Sequence, residues 1–514
     1  MAARPREVLR LNPPNPHTPR KIERPLILTG VLLSMIMAAM EATIVATAMP
    51  TVIQQLGGIQ YYGWVGAVYL LTSTVTMPLY GKLSDLYGRK PIMMLGMVLF
   101  LLGSAASGLA QNMAELIIAR AIQGAGAGGL QPVSITIVGD LYRPQERARI
   151  QGIFGAVWAV SATAGPLVGG IIVHALSWRW VFFINLPFGL LSAWFIMQFL
   201  HEHKAHHQHS LDWGGAAVLT GAIVALLLGT GRYQPGLMLP LCAILLGAFA
   251  WVEVRVREPV LSLALLARPI IAVSSASGAA VGAVMSSTVN YLPLFAQGVL
   301  GVTPTVAGAT VSPLLLGWPI ASTLSGRLLT RIGYRPIIIT GFAIVTVTSF
   351  ALAYLLRVHA TPVWLGSTMF VMGLGMGSAN VASLIAVQES VSWNERGVAT
   401  ASALFFRTIG GAVAVGALGA VLASALGPDV PESVANRLLA PDHGRGLDPA
   451  VTAHVTHAIR LGLYRIFDLL AAISVVSLVV AFFFPRHHLS PVGPSGPAGT
   501  AGPAEVEPGL SSAE

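Results

Sequence analysis

Apolar residues in this chain gather into long runs separated by short polar turns. A helix that crosses the hydrocarbon core of a bilayer needs about 20 such residues. Runs of that length, bounded by charges or Gly/Pro turns, lie near 26–49, 62–80, 91–110, 113–139, 150–174, 180–200, 213–231, 237–254, 269–298, 305–326, 336–356, 362–388, 397–424 and 462–484. The pattern predicts an all-α membrane protein with 14 transmembrane helices. It leaves a tail at 1–25, an external loop at 425–461 with a short helix around 449–461, and a Pro/Gly/Ala/Ser-rich tail at 485–514 that cannot bury a core.

The basic residues divide unequally between the two sides of such a bundle. Of the 30 Lys and Arg, 21 fall on one side, 7 on the other, and Arg120 and Arg407 lie inside spans. The positive-inside rule makes the richer side cytoplasmic and places both termini there. The net charge of +9 is therefore a topology signal, and a nucleic-acid partner is not implied. Composition agrees with the spans: 54% of the 514 residues are hydrophobic, 10% are charged, and the mean hydropathy is +0.72. Soluble domains carry roughly 25% charged residues. The single cysteine, Cys242, excludes an intramolecular disulfide framework and a thiolate metal cluster. The first run is too long for a signal-peptide core and reads as an uncleaved span. His201, His203, His206, His207 and His209 fall in a cytoplasmic connector, where a solvated loop explains them better than a metal site.

The chain also repeats itself. Gly81 to Pro91 aligns with Gly326 to Pro336 at an offset of 245, with Gly at the first and eighth positions of both and Thr330 in place of Asp85. Asp140 with Gln145, Glu146 and Arg147 aligns with Glu389 and Asn394, Glu395 and Arg396 at an offset of 249. Two six-helix halves follow, 26–200 and 269–484, with two extra helices between them at 213–254. Repeats of this kind place a substrate site at their interface near the midplane.

Depth singles out the candidate chemistry. Glu41 is the one acid far inside a span, roughly 12 Å from the external end at 1.5 Å per residue, and Arg120 lies at roughly 10 Å on another helix. A carboxylate and a guanidinium at one depth could switch protonation as they move relative to each other; they would equally suit a static ion pair. Asp468, one to two turns into the last span, reads as an interfacial or structural charge. Gln123, Trp158, Asn290, Gln297, Asn380 and Arg407 are polar or aromatic groups at middle depth and form the candidate substrate pocket.

Several stretches carry a resemblance. Gly81-Lys82-Leu83-Ser84-Asp85-Leu86-Tyr87-Gly88-Arg89-Lys90 is similar to the turn signature between helices 2 and 3 of the major facilitator superfamily. Glu41 to Pro50, Arg120-Ala121-Ile122-Gln123-Gly124, Gly165-Pro166-Leu167-Val168-Gly169-Gly170, Trp178 to Pro187, Leu292 to Gln297 and Phe406 to Gly411 resemble the fourteen-helix drug:proton antiporter branch, with Glu41 and Thr47 where that branch carries Asp and Asn. The resemblance implies a bacterial cell-membrane exporter that a single chain suffices to form, driven by protons, acting on lipophilic and often cationic compounds including antibiotics, with no cofactor and no enzymatic activity. With proton drive implied, Glu41 with Arg120, singled out by depth, is the candidate for coupling protons, and Glu41 is also part of the cation-binding surface. Gly81, Asp85, Gly88, Arg89, Asp140 and Arg396 would latch the cytoplasmic end, with Asp85 against the start of the 397–424 span and Arg89 on Asp140. Gly165, Pro166, Gly169 and Gly170 would form a close contact between the halves. Two rivals remain open: an exporter of a specific lipid, siderophore or metabolite, and a facilitator without proton coupling. A membrane-embedded enzyme would need clustered acids at one face, and the sequence has none; nor has it a Walker-type phosphate loop.

Overall fold

The computed structural model describes residues 23–56, 62–201, 213–230, 234–256, 262–302, 304–426 and 449–485. Among these residues every regular element is a helix. In chain order they are α1 (Glu23–Leu56), α2 (Tyr62–Tyr87), α3 (Arg89–Leu109), α4 (Met113–Leu141), α5 (Pro144–Ala175), α6 (Trp180–Phe183), α7 (Asn185–Phe199), α8 (Trp213–Thr230), α9 (Pro235–Glu253), α10 (Leu263–Leu266), α11 (Pro269–Gly298), α12 (Pro304–Ile332), α13 (Tyr334–Arg357), α14 (Pro362–Glu389), α15 (Arg396–Leu426) and α16 (Pro449–Phe482). A single 3-10 turn, Trp393–Glu395, joins α14 to α15.

Each apolar run coincides with a long helix, the sixth being interrupted at Ile184 between α6 and α7. Ten of the helical stretches are long and apolar enough to cross a membrane on length and composition. Helices α2, α4, α5 and α8 fall outside that set. The reason is clearest for α4, which carries Glu115, Arg120 and Gln123 and is buried along most of its length, so its residues answer to other helices and not to lipid. Large apolar side chains such as Ile171, Val347 and Val363 point outward at 68%, 68% and 75% exposure, a surface suited to hydrocarbon.

Two boundaries differ from the sequence expectation. The stretch Gly81 to Tyr87 is not a turn: α2 runs through it and the chain reverses at Gly88 alone. The external short helix and the last span are one continuous helix, α16. The remainder of the expected external loop (427–448), both tails apart from Glu23–Pro25 and Pro485, and His203 to His209 lie outside the described residues.

Local chemistry explains where the helices begin. Asn112 caps α4 by accepting from the Glu115 N–H at 2.9 Å, and Glu115 in turn accepts from the Gln111 N–H at 2.8 Å. Pro144 opens α5, where a missing N–H costs nothing. Gly88 at φ 96° makes the α2–α3 reversal, and Gly333 at φ 75° makes the α12–α13 one; both angles are left-handed and favour glycine. These are the two glycines that the internal repeat aligns.

The packing follows the same repeat. Among α1–α7, α1 packs on α5, α2 on α4, and α3 on α4; among α11–α16, α11 packs on α15, α12 on α14, and α13 on α14. These two groups of helices meet where α2 lies against α15 and α5 against α12. Helices α8 and α9 pack on each other, with α8 also touching α2 and α15.

Candidate functional site

Two buried polar networks lie in the bundle. The first is at the end that carries the basic turns. Asp85, 2% exposed at its side chain, accepts from the Gly397 N–H at 2.8 Å and from the Val398 N–H at 2.7 Å. These are first-turn donors of α15, which lack intrahelical partners, and the positive end of the helix dipole favours an anion there. Arg89, also buried, lies 2.7 Å from Asp85 and 3.1 Å from Asp140, and donates to the Ser84 carbonyl at 2.6 Å and the Trp393 carbonyl at 2.8 Å. Its guanidinium stacks over the Trp393 ring at 4.3 Å. Arg396 completes the junction by donating to Asp140 at 2.8 Å. Burial pushes the Asp85 carboxyl up to about 7, with Arg89 and the two N–H groups pulling against it.

Glycines let the backbones come this close. A Cβ added at Gly81 would stand 2.4 Å from the Ala401 Cβ and 2.9 Å from the Gly397 carbonyl oxygen. One at Gly326 would stand 2.4 Å from the Ala148 Cβ, and one at Gly152 would stand 2.3 Å from the Thr323 hydroxyl. The α2–α15 and α5–α12 seams are therefore shut at the basic end. Arg147 of α5 pairs with Glu389 of α14, the repeat image of Arg396 with Asp140. Sequence reasoning aligned these residues without pairing them.

The second network is deep in the first half. Glu41 is fully buried, with Arg120 on one carboxylate oxygen and the Asn185 amide donating to the other at 2.6 Å. Arg120 also donates to Gln123 at 2.6 Å and to the Val65 carbonyl at 3.3 Å, and its guanidinium lies 4.2 Å from the Tyr69 ring centroid. Ser104 accepts from Asn185 at 3.0 Å and from Gln123 at 3.2 Å, and donates to the Phe182 carbonyl at 2.8 Å. Five side chains from α1, α3, α4 and α7 thus satisfy one another where lone polar groups would be costly. Asn185 and Ser104 were not in the expected site. The break at Ile184 is the local signal for Asn185, because it lets that residue begin a new helix facing Glu41.

The remaining expected residues are dispersed. Arg407 donates to Asn380 at 3.2 Å across α15 and α14. Trp158 is half-buried and packs against the first-half core. Asn290 is exposed and donates to its own helix at Ser286, 2.7 Å away, and Gln297 is half-buried near the end of α11; the described contacts of Glu41 include neither. Asp468 is half exposed and pairs with Arg357 at 2.6 Å. In α5, Gly165 and Gly169 are buried and position 166 is helical, but Gly170 is exposed with nothing within 4 Å of an added Cβ. The close approach of α5 to the other half falls earlier, at Ala148, Gly152 and Gly155, so the contact expected of Gly170 is not made in this arrangement.

Comparison with known proteins bears on what such a bundle does. The sequence model for the Major Facilitator Superfamily matches residues 31–415. The Multidrug transporter protein MdtP of Bacillus subtilis (strain 168) is 35% identical over 412 residues, which are 78% of this chain and 76% of the relative. Multidrug resistance protein 3 of the same organism is 36% identical over 418 residues, 79% of this chain and 80% of the relative. Among solved structures, the human organic anion transporter MFSD10 (TETRAN) superposes with a TM-score of 0.61 at 16% identity, covering 90% of this chain and all of that one, which speaks to the fold.

Proposed function

The chain belongs to the Major Facilitator Superfamily and is a multi-pass membrane transporter, and from that premise we propose that it exports small lipophilic compounds, many of them cationic, in exchange for protons. The observation that carries the proton half of this reading is Glu41, an acid with no exposed surface whose two oxygens are held by Arg120 and Asn185. A carboxylate beside a guanidinium stays ionised; separated from it in a dry interior, it takes a proton. A movement that parts Arg120 from Glu41 therefore loads the site, and its reversal releases the proton. The relatives named as multidrug transporters support the drug half.

The rest of the cycle follows from the seams. Fourteen spans arranged as halves 26–200 and 269–484, with 213–254 between them, put the basic end in the cytoplasm of a bacterial cell and both termini there. The structure is then the outward-facing state, held by Asp85, Arg89, Asp140 and Arg396 with Gly81 and Gly88 allowing the approach. Rocking the halves about the site breaks these contacts and opens the cytoplasmic side. Gly165, Pro166, Gly169 and Gly170 would come into contact with a neighbouring helix in that second state.

The test is uptake of ethidium into inside-out vesicles energised with an acidic lumen. The reading expects uptake that collapses when the proton gradient is dissipated, and loss of uptake with normal membrane insertion in Glu41→Gln. Full uptake by that variant would remove Glu41 from the mechanism.

A further inference from the structure

The second half holds a charge that the proton pathway does not use. Arg407 lies eleven residues along α15 from Arg396, roughly 16 Å from the basic end by helical rise. Among the described residues no carboxylate lies within ion-pair distance of it; its hydrogen bond goes to the neutral amide of Asn380. A guanidinium inside a membrane protein is expensive unless compensated, and such residues mark sites where a ligand or ion completes the balance.

Beside its partner Asn380 is a small cavity of about 20 Å³, room for one polar group. Asn380 lines it, together with Ser274, Ser277 and Ser383. Ser274 and Ser277 are 4% and 2% exposed, and neither hydroxyl has a hydrogen-bond partner. Serines within helices ordinarily return their proton to a carbonyl a turn earlier, as Ser402, Ser349 and Ser312 do in this protein. Two buried hydroxyl donors and one amide thus face the cavity from two helices, and the unbalanced cation of a third helix is hydrogen-bonded to that amide. Gly278 and Gly282 of α11 admit the Arg407 backbone at close range: a Cβ at Gly282 would stand 1.8 Å from the Arg407 carbonyl oxygen, so the guanidinium is placed by a fixed seam.

Donors around a cation recognise an anion. Glu41 offers the opposite case: both of its oxygens are engaged in this state, so a cationic ligand finds no open carboxylate there. We propose that the Arg407–Asn380 cavity is an anion subsite that receives a carboxylate, so that the cargo of this transporter includes lipophilic acids and zwitterions. The subsite rests on the export reading only for its use in transport; the binding itself needs no proton gradient. The carboxylate could be borne by a lipophilic compound or arrive as a free small acid, and the chemistry of recognition is the same.

Equilibrium binding to the purified full-length protein in nanodiscs, at one pH and without a gradient, tests this. The probes are 1-naphthoate, its uncharged analogue 1-naphthamide, and sodium acetate as competitor. The subsite predicts that naphthoate binds at least tenfold tighter than naphthamide, and that Arg407→Gln removes this preference. Ser277→Ala, which deletes one donor and keeps the charge, should weaken naphthoate several-fold and provides the same reading if Arg407→Gln does not fold. Competition by millimolar acetate would identify a free-anion site; failure of acetate to compete would require the acid to be carried on an apolar body; either outcome stands with the proposal. Equal affinity for naphthoate and naphthamide, no binding of naphthoate, or unchanged naphthoate affinity in the variants would overturn it. Because no transport is measured, a negative result here leaves proton-coupled export standing, and the reverse also holds.

Discussion

A single methyl group at Gly81 should unseat the closed basic end. The added Cβ would lie 2.4 Å from the Ala401 Cβ, where carbon atoms settle at about 3.5–4.0 Å, so α2 and α15 must part by more than about 1 Å. The bonds from Asp85 to the Gly397 and Val398 N–H groups, 2.8 and 2.7 Å long, cannot stretch that far and survive. Overpacking costs about 1–3 kcal/mol, and each bond to a charged acceptor contributes about 1.5–3 kcal/mol. Taking about 4 kcal/mol, the low end of the overpacking cost plus the two bonds, the closed arrangement falls roughly 900-fold against the open one. The assay is electron–electron distance measurement between spin labels at Tyr87 and Ile332, both 50% exposed and repeat images of each other, in a Cys242→Ser background. Gly81→Ala should move most of the distribution to longer separations. Gly308→Ala, at a position with nothing within 4 Å, should not. An unchanged distribution in Gly81→Ala would refute the reasoning that this seam is packed to contact.

Three further outcomes follow from the same geometry. Asp140→Asn strips the shared partner from Arg89 and Arg396 and should destabilise the closed state by about 3–5 kcal/mol, read as a lowered Tm and the same distance shift. Burial pushes the Asp85 carboxyl up to about 7 when closed, against about 3.9 when solvated, so the closed state binds its proton more tightly, is most favoured below about pH 4, and loses that advantage progressively as pH rises to 7; the distance distribution should open across that range, and Asp85→Asn should abolish the dependence. Asn185→Ala leaves one Glu41 oxygen without its donor and should shift the pH profile of transport while preserving the fold; an unmoved profile would confine Asn185 to packing.

Charge was the legible part of this molecule. Acidic and basic residues are rare in an apolar chain, so Asp85, Arg89 and Asp140 at a helix junction, and Glu41 with Arg120 at one depth, stood out before any coordinates, and the structure puts them in contact. Neutral polar residues were not legible. Ser104 and Asn185 resemble any other serine and asparagine in a helix until the break at Ile184 orients one of them. Asn290 shows the converse, since a polar residue at the right depth spends its donor on its own helix. Arg407 and Asn380 were both visible, but whether they share a face across α14 and α15 depends on helix rotation, which apolar runs do not encode. Helix ends were misread where polar residues continue a helix, as at Gly81 to Tyr87, because their satisfaction comes from a distant segment.

The central claim is exchange of protons for lipophilic compounds through Glu41. It is tested most directly in proteoliposomes that hold a pH-sensitive dye and an imposed pH gradient, to which lipophilic cations, acids and neutral compounds are added one at a time. The account predicts proton movement triggered by compound in the wild-type protein and none in Glu41→Gln at equal protein incorporation. Compound flux without proton movement, or proton movement undiminished in Glu41→Gln, would contradict it.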